Sequence, residues 1–592
     1  MAVENLITEH IDIWTSAIKT KSTSGRGSSK KLELYGVKKL RELILELAVR
    51  GKLVPQDAND EPVATLLKQN HIEQSRLTVE ENLKTKASQS ILDSEEYILV
   101  PETWGRIKLG NLAKFIDYRG KTPKKLSAGV RLITAKNVKF GYLSLQPEEF
   151  ISEAEYKTWM TRGFPRIGDI LFTPEAPLGN VAQVDLEEKF ALAQRAICLQ
   201  FHLSDISNYL RLFLMSPSFQ NLLSEKATGT TAKGIKASVL KELVVYIPPI
   251  EEQHRIVAKV DELMALCDQL EQQTEDSIEA HQVLVTTLLD TLTNSADADE
   301  LMQNWARISE HFDTLFTTEE SIDQLKKTIL QLAVMGKLVP QDPSDEPATE
   351  LLKRIAEEKA QLVKEKKIKK QKALPPIAED EKPFELPHGW EWCRFADVIN
   401  EVATGPFGSM INKREYISDG VPLINPSHMI NQKIIEDSTI SVSEDKAKEL
   451  SSYRIKPGDI LMARRGEMGR CALVTEREHN WLCGTGSFVL KFQEEIYKPY
   501  ILLLFQTSWV RAYLGGNSVG STMVNLNHTI LNKMPTLIPP KQEQIRIVSK
   551  VNELLGLCNG MKDSVVKHQE VQLQLTNAIV AQLVSDKSVQ HF

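Results

Sequence analysis

The feature that most constrains this chain is a stretch that occurs twice. Residues 247–268 read IPPIEEQHRIVAKVDELMALCD and residues 538–559 read IPPKQEQIRIVSKVNELLGLCN. The offset is 291 throughout, so Pro248 answers to Pro539, Gln253 to Gln544, Arg255 to Arg546 and Cys267 to Cys558. Each copy begins with an apolar run that stops at Pro-Pro, because proline fixes φ and has no N–H for a ladder. Acidic residues follow and favour the positive N-terminus of a helix. Apolar residues then step by four and three: Ile256, Val260, Leu263, Cys267 and Leu270, extrapolated to Leu284 and Leu288. The second copy offers Ile547, Val551, Leu554, Cys558, Met561 and Val565, then Leu575 and Ile579. This is a heptad-like seam, which needs a partner helix. The other copy is the obvious candidate.

A second repeat lies upstream of each. Residues 40–68 match residues 325–353 at 19 of 29 positions. Gly51 and Gly336 fall where a helix C-cap belongs, and Pro55 and Pro340 prevent continuation. New helices are expected from Ala64 and Thr349, the second running on through the lysines of residues 364–372. That run is read as a solvated helix end, with a phosphate-contacting tail as the alternative.

Between the helical parts, residues 99–248 and 386–540 look globular. Weak matches keep one order in both: GVRLITAKNV with GVPLINPSHM, PRIGDILF with IKPGDILM, and PLGNVAQV with EMGRCALV. Short Val/Ile/Leu runs bounded by Gly and Pro read as strands with a few helices. The expected fold is therefore α+β and multidomain, with two globular domains separated by long antiparallel, coiled-coil-like helices and an internal pseudo-two-fold repeat. The expected divisions are a helical region over 1–98, a domain over 99–248, a central helical region over 249–385, a domain over 386–540 and a helix over 541–592.

At 592 residues the chain exceeds a single core. No run of about 18 apolar residues occurs, the N-terminus lacks a signal-peptide pattern, and six cysteines show no C-x-x-C spacing. A cytoplasmic protein with reduced thiols is expected. The net charge of -7 is unevenly spread: residues 100–250 carry 20 Lys and Arg against 14 Asp and Glu, and residues 386–540 carry 16 of each. The globular segments are thus far less acidic than the helices, as suits segments that meet phosphates.

Three function classes compete. For an enzyme, Asn425-Pro426-Ser427-His428 lacks the second proline and aromatic of an adenine methyltransferase motif, and no phosphate-binding loop is present. Asp459 and Glu467 suggest a metal nuclease, but Gly469 stands where such a site wants lysine; Gly484-Thr485-Gly486 reads as a strand turn, and His281 falls on the seam. No catalytic or metal-binding set emerges. For a DNA reader, candidates in the first domain are Arg119, Lys121, Lys124, Lys125, Lys136, Asn137, Arg195, Thr228, Thr230, Thr231, Lys233 and Lys236. In the second they are Ser409, Lys413, Arg414, Ser427, His428, Arg464, Arg465, Arg470, Ser521, Thr522, Asn525 and Asn527. Arg and Lys can read guanine, Asn can read adenine, and Ser and Thr suit phosphates. For a scaffold, the long helices would present two domains to protein partners without DNA preference.

The paired PP-x-x-E-Q-x-R-I-V-x-K-V-x-E-L stretches, with GKLVPQD, DEP and EKPFELPHGWEW, resemble the specificity (S) subunits of type I restriction–modification systems. The start, GRGSSKKLELYGVKKLRELILELAVRGKLVPQ, is similar to the type IB branch, and the resemblance covers essentially the whole chain. It implies that the globular segments are target recognition domains, each reading one half of an asymmetric bipartite site on double-stranded DNA. It implies helices that set the spacing and dock two methyltransferase (M) subunits. It places S-adenosylmethionine in those subunits and ATP with magnesium in the restriction (R) subunits, leaving this chain non-catalytic and without a cofactor. Helices over 251–293 would span roughly 64 Å, against about 34 Å between successive major-groove sites on one face.

Overall fold

A computed structural model describes residues 8–21, 31–80, 91–92, 95–118, 123–229, 233–370, 372–516 and 526–585. The chain divides into two units, residues 1–277 with 568–592, and residues 278–567. Helices Ile250–Asn294 and Lys541–Ser585 are each 45 residues long. Each unit holds the first part of one and the last part of the other, the order found in an antiparallel pair.

Both helices start directly after Pro-Pro, and a glutamine explains why. Gln253 Nε2 donates to the Pro248 carbonyl and Gln544 Nε2 to the Pro539 carbonyl, each at 2.9 Å, tying the first turn to the strand before it. Ile256, Val260, Leu263, Cys267 and Leu270 are buried, as the heptads require. The extrapolation to Leu284 is one residue out. Leu284 is 50% exposed and Val285 is buried; likewise Leu575 is 41% exposed and Thr576 buried. The cause is an extra four-residue step, with the inward positions running 267, 270, 274, 278 and 281. Because 3.6 residues per turn exceeds a strict 3.5 repeat, such a step restores a seam that heptads would let drift.

Helices Tyr35–Val49 and Glu319–Val334 end on Gly51 and Gly336, both left-handed with φ +66° and +69°. Lys52 N bonds the Leu47 carbonyl at 3.0 Å and Lys337 N the Leu332 carbonyl at 2.9 Å, closing the C-terminus. A Cβ on Gly51 would stand 2.5 Å from Pro101 Cγ, and one on Gly336 would strike Pro387. The next helices are Val63–Glu80 and Ala348–Lys364. The expected run through the lysines does not occur. Lys366 turns left-handed at φ +58° and Lys367 N bonds the Leu362 carbonyl at 2.9 Å. Past Val363, adjacent lysines repel one another and too little apolar surface follows to hold another turn.

The repeated motifs converge on one junction in each unit. Trp104 Nε1 donates to both Glu252 carboxylate oxygens at 3.1 Å, and Trp390 Nε1 to Glu543 at 3.0 Å. Arg255 grips Asp60 through two bonds of 2.9 and 2.6 Å, and Arg546 grips Asp345 through two of 3.3 and 2.5 Å.

Each globular part is built alike. An antiparallel sheet orders Ala113–Asp117, Ile197–Phe201, Ile170–Phe172 and Val181–Gln183; its counterpart orders Ile399–Thr404, Ser487–Phe492, Ile460–Ala463 and Cys471–Leu473. A smaller sheet runs Val130–Ile133 parallel to Phe190–Leu192, and Val421–Ile424 parallel to Leu482–Cys483. Gly105–Lys108 pairs with Val244–Ile247, and Glu391–Arg394 with Pro535–Ile538, so each domain closes on its own first and last strands. The chain thus has the mixed helix and strand content, duplicated domains and long intervening helix expected of it. Asp459 accepts from Lys456 N at 2.9 Å, as Asp169 accepts from Arg166 N at 2.8 Å, and both are mostly buried turn residues. Among the described residues, no helix is long and apolar enough to cross a membrane.

Candidate nucleic-acid interface

Strand register brings the candidate loops together. Asp117 and Phe172, at the C-terminal ends of their strands, both pair with Ile197, at the N-terminal end of its own. Thr404 and Met462 both pair with Phe488, and Ala463 with Ser487, in the second domain. Three segments therefore leave one edge of each sheet: those at Tyr118, 173–180 and 193–196, and likewise those at 405–412, 464–470 and 484–486. A fourth is tied on by Ile235 N bonding the Pro174 carbonyl at 2.9 Å, and by Leu526 N bonding the Arg464 carbonyl at 3.0 Å. The small sheet adds a fifth through Ala193 N to the Ile133 carbonyl and Gly484 N to the Ile424 carbonyl, both 2.8 Å. Even the left-handed turn is shared, at Arg195 (φ +64°) and Gly486 (φ +79°).

On this common frame the candidates fare differently. Lys136 and Lys236 in the first domain, and Lys413, Arg414 and Arg465 in the second, are exposed and in no ion pair among the described residues. Lys124 is exposed, its backbone N held by Glu155 at 2.8 Å. Lys233 Nζ rests 3.1 Å from Ser224 Oγ, beside Thr228, which pairs with Gly234. Ser409 and Ser427 are exposed. Lys125 pairs with Glu149 at 2.7 Å, Arg195 with Glu175 and Arg470 with Glu467 at 2.8 Å, so a phosphate there must compete with a carboxylate. Arg119, Lys121, Thr230, Thr231, Ser521, Thr522 and Asn525 lie outside the described residues.

Four candidates hold the loops themselves. Asn137 is 1% exposed: its Oδ1 accepts from Thr134 N and Oγ1, and its Nδ2 donates to the Ser144 and Pro147 carbonyls. No valence remains for a base edge. His428, at the corresponding turn, is also buried, and burial lowers its pKa. Asn527 caps helix His528–Lys533 by accepting from Ile530 N at 3.0 Å. Arg464 lies on the Phe488 ring at 4.9 Å, and its pKa is lowered by burial and then by Arg465. All four look polar and loop-like in sequence, but only at Asn137 do neighbours in space consume every hydrogen bond; exposed Asn527 keeps its Nδ2 and Arg464 most of its guanidinium donors. Sequence reasoning also passed over Phe407, which stands 67% exposed at this edge. Its signal is Gly405-Pro406-Phe407-Gly408 directly after a strand.

Two like-built domains, each displaying a loop edge of different residues, define a protein that presents two recognition surfaces on one frame. The description "Type I restriction modification DNA specificity domain" matches residues 101–280 and 387–563. The Type I restriction enzyme EcoAI specificity subunit of Escherichia coli is 40% identical over 98% of this chain and 99% of its own length. The Escherichia coli EcoEI specificity subunit is 38% identical over the same shares. A chain from a structural study of complex assembly and conformational transition of the type I R-M system covers 82% of this chain and 98% of its own, at 16% identity and a TM-score of 0.47. The chain belongs to the type I restriction–modification DNA specificity family.

Proposed function

We propose that this chain is the non-catalytic sequence reader of a type I restriction–modification complex, its domains over 99–248 and 386–540 each reading one half of an asymmetric bipartite DNA site. The observation that carries this is the shared edge: equivalent hydrogen bonds bring equivalent loops together in both domains, while exposed side chains differ. Framework identity with loop divergence suits two readings made in one way on different bases. The helical regions over 1–98, 249–385 and 541–592 set the separation of the half-sites and dock two methyltransferase subunits. S-adenosylmethionine belongs to those subunits, and ATP with magnesium to the restriction subunits, which join through the complex. Six buried free thiols suit a reducing cytoplasm.

Lys124, Lys136, Lys233, Lys236, Ser409, Lys413, Arg414, Ser427 and Arg465 are the DNA-facing groups of this reading. Lys125, Arg195 and Arg470 join them by exchanging a carboxylate partner for phosphate. The test is to co-express the chain with its genomic methyltransferase neighbour and map methylated adenines. A bipartite motif is expected. Arg465→Ala should weaken methylation roughly 5- to 150-fold by relaxing one position of one half-site, the cost of about 1–3 kcal/mol for a base contact. Tight protein complexes with no DNA preference would overturn the reading in favour of a scaffold.

A further inference from the structure

Phe407 is the largest apolar side chain left in water at the second domain's loop edge, and its loop is built to hold it there. Gly405 and Pro406 before it are buried, as is Ile411 after it, while residues 407–410 between them are exposed. Gly405 N donates to the Ser487 carbonyl at 3.0 Å, and a Cβ on Gly405 would strike the Gly484 carbonyl. That locks the loop base onto the turn beside Arg464 and Arg465. Met410 N closes a turn on the Phe407 carbonyl at 2.8 Å, and Tyr453 Oη reaches Met410 Sδ at 3.6 Å. Ile411 then enters a small core with Leu423, Val442 and Leu482. The aromatic ring thus projects from a loop anchored on both sides, which leaves less backbone entropy to lose on contact.

Its surroundings choose the partner. Lys413, Arg414 and Arg465 are exposed and in no ion pair among the described residues. An exposed ring that shares its loop edge with Arg465, and stands six and seven residues before Lys413 and Arg414, suits a nucleic acid, whose bases stack on rings and whose phosphates meet lysine and arginine. A protein partner would more commonly meet an apolar patch with charge kept to the rim.

We infer that Phe407 is a wedge that presses on one base step of the half-site read by the second domain, unstacking it and adding specificity for a deformable step. This rests on the DNA-reading assignment above. Apolar wedges kink duplexes at the cost of unstacking, which is least at flexible pyrimidine–purine steps.

The experiment uses the full chain co-purified with its methyltransferase neighbour. Duplexes are selected from a randomised pool, then remade with 2-aminopurine at successive positions of the second domain's half-site. Wild type should raise the fluorescence at one step besides the adenine that the methyltransferase flips out. Phe407→Ala should abolish that rise and lower affinity for the selected duplex roughly 5- to 150-fold, the range for losing one aromatic stack. Its affinity for unselected duplex should hold, and Phe407→Trp should restore both signals. A wild type that selects a bipartite motif with no fluorescent step besides the flipped adenine would overturn the wedge alone. An alanine variant that keeps the same motif and affinity, or loses the methyltransferase instead of DNA, would do the same. A wild type that selects no motif would overturn the DNA reading, and the wedge with it.

Discussion

At the scale of residues, the sharpest consequence concerns Glu252. Burial pushes its carboxyl up to about 7, although bonds from Gln56 at 2.5 Å and Trp104 at 3.1 Å act the other way. Glu543 is raised for the same reason. A carboxyl held above its usual value of about 4.3 binds its proton more tightly folded than unfolded. That stabilisation is complete below the unfolded pKa and is lost as pH rises through about 7. The melting temperature is therefore expected to fall between about pH 4 and pH 7, and Glu252→Gln should flatten the first unit's share, about 1–3 kcal/mol. Thermal melts across that range check it; an unchanged slope in the variant would assign the dependence elsewhere. The sequence shows Glu252 as one of several acidic residues at a helix start. That it faces an indole rather than water depends on Trp104, 148 residues away.

At the scale of elements, helix starts and stops were largely legible. Local chemistry decides them: Pro-Pro before Ile250 and Lys541, and glycine after Val49 and Val334. The lysine-rich end of Ala348–Lys364 was overextended because propensity favours lysine in helices while burial decides length. Less visible is what holds the far ends of the long helices. Lys337 Nζ donates to the Thr293 and Ser295 carbonyls at 3.0 and 2.8 Å, and Lys52 Nζ to the Val584 carbonyl at 2.9 Å. A cation there satisfies carbonyls that have no intrahelical partner and opposes the negative helix end. Lys337→Met keeps the stem and removes the charge, and should cost about 1–2 kcal/mol in denaturant melts. A variant as stable as wild type would show that water replaces the lysine without loss.

For the whole molecule, the two 45-residue helices are the natural ruler of a bipartite reader. Adding seven residues after Ser277, and seven more after Lys567, preserves the seam and lengthens each helix by about 10.5 Å. The unread gap should grow by about three base pairs while both half-sites stay the same. Methylome sequencing reads this directly, and changed half-sites at constant spacing would refute the ruler. Adding four residues to each should instead rotate the apolar stripe out of register and weaken assembly.

The sequence alone determined the duplication, most of the places where helices begin and end, and the common order of matching segments in both domains, because prolines, glycines and apolar periodicity act over a few residues. The tertiary structure decided which loop residues face outward. Asn137 and Lys136 are neighbours in one polar turn, yet the first spends every hydrogen bond inside the fold while the second stands free in water. That difference comes from strands brought together across the sheet, and spacing along the chain does not encode it in any local pattern. Phe407 is the converse case: an apolar residue that composition would send to the core, held in solvent by the packing of its neighbours.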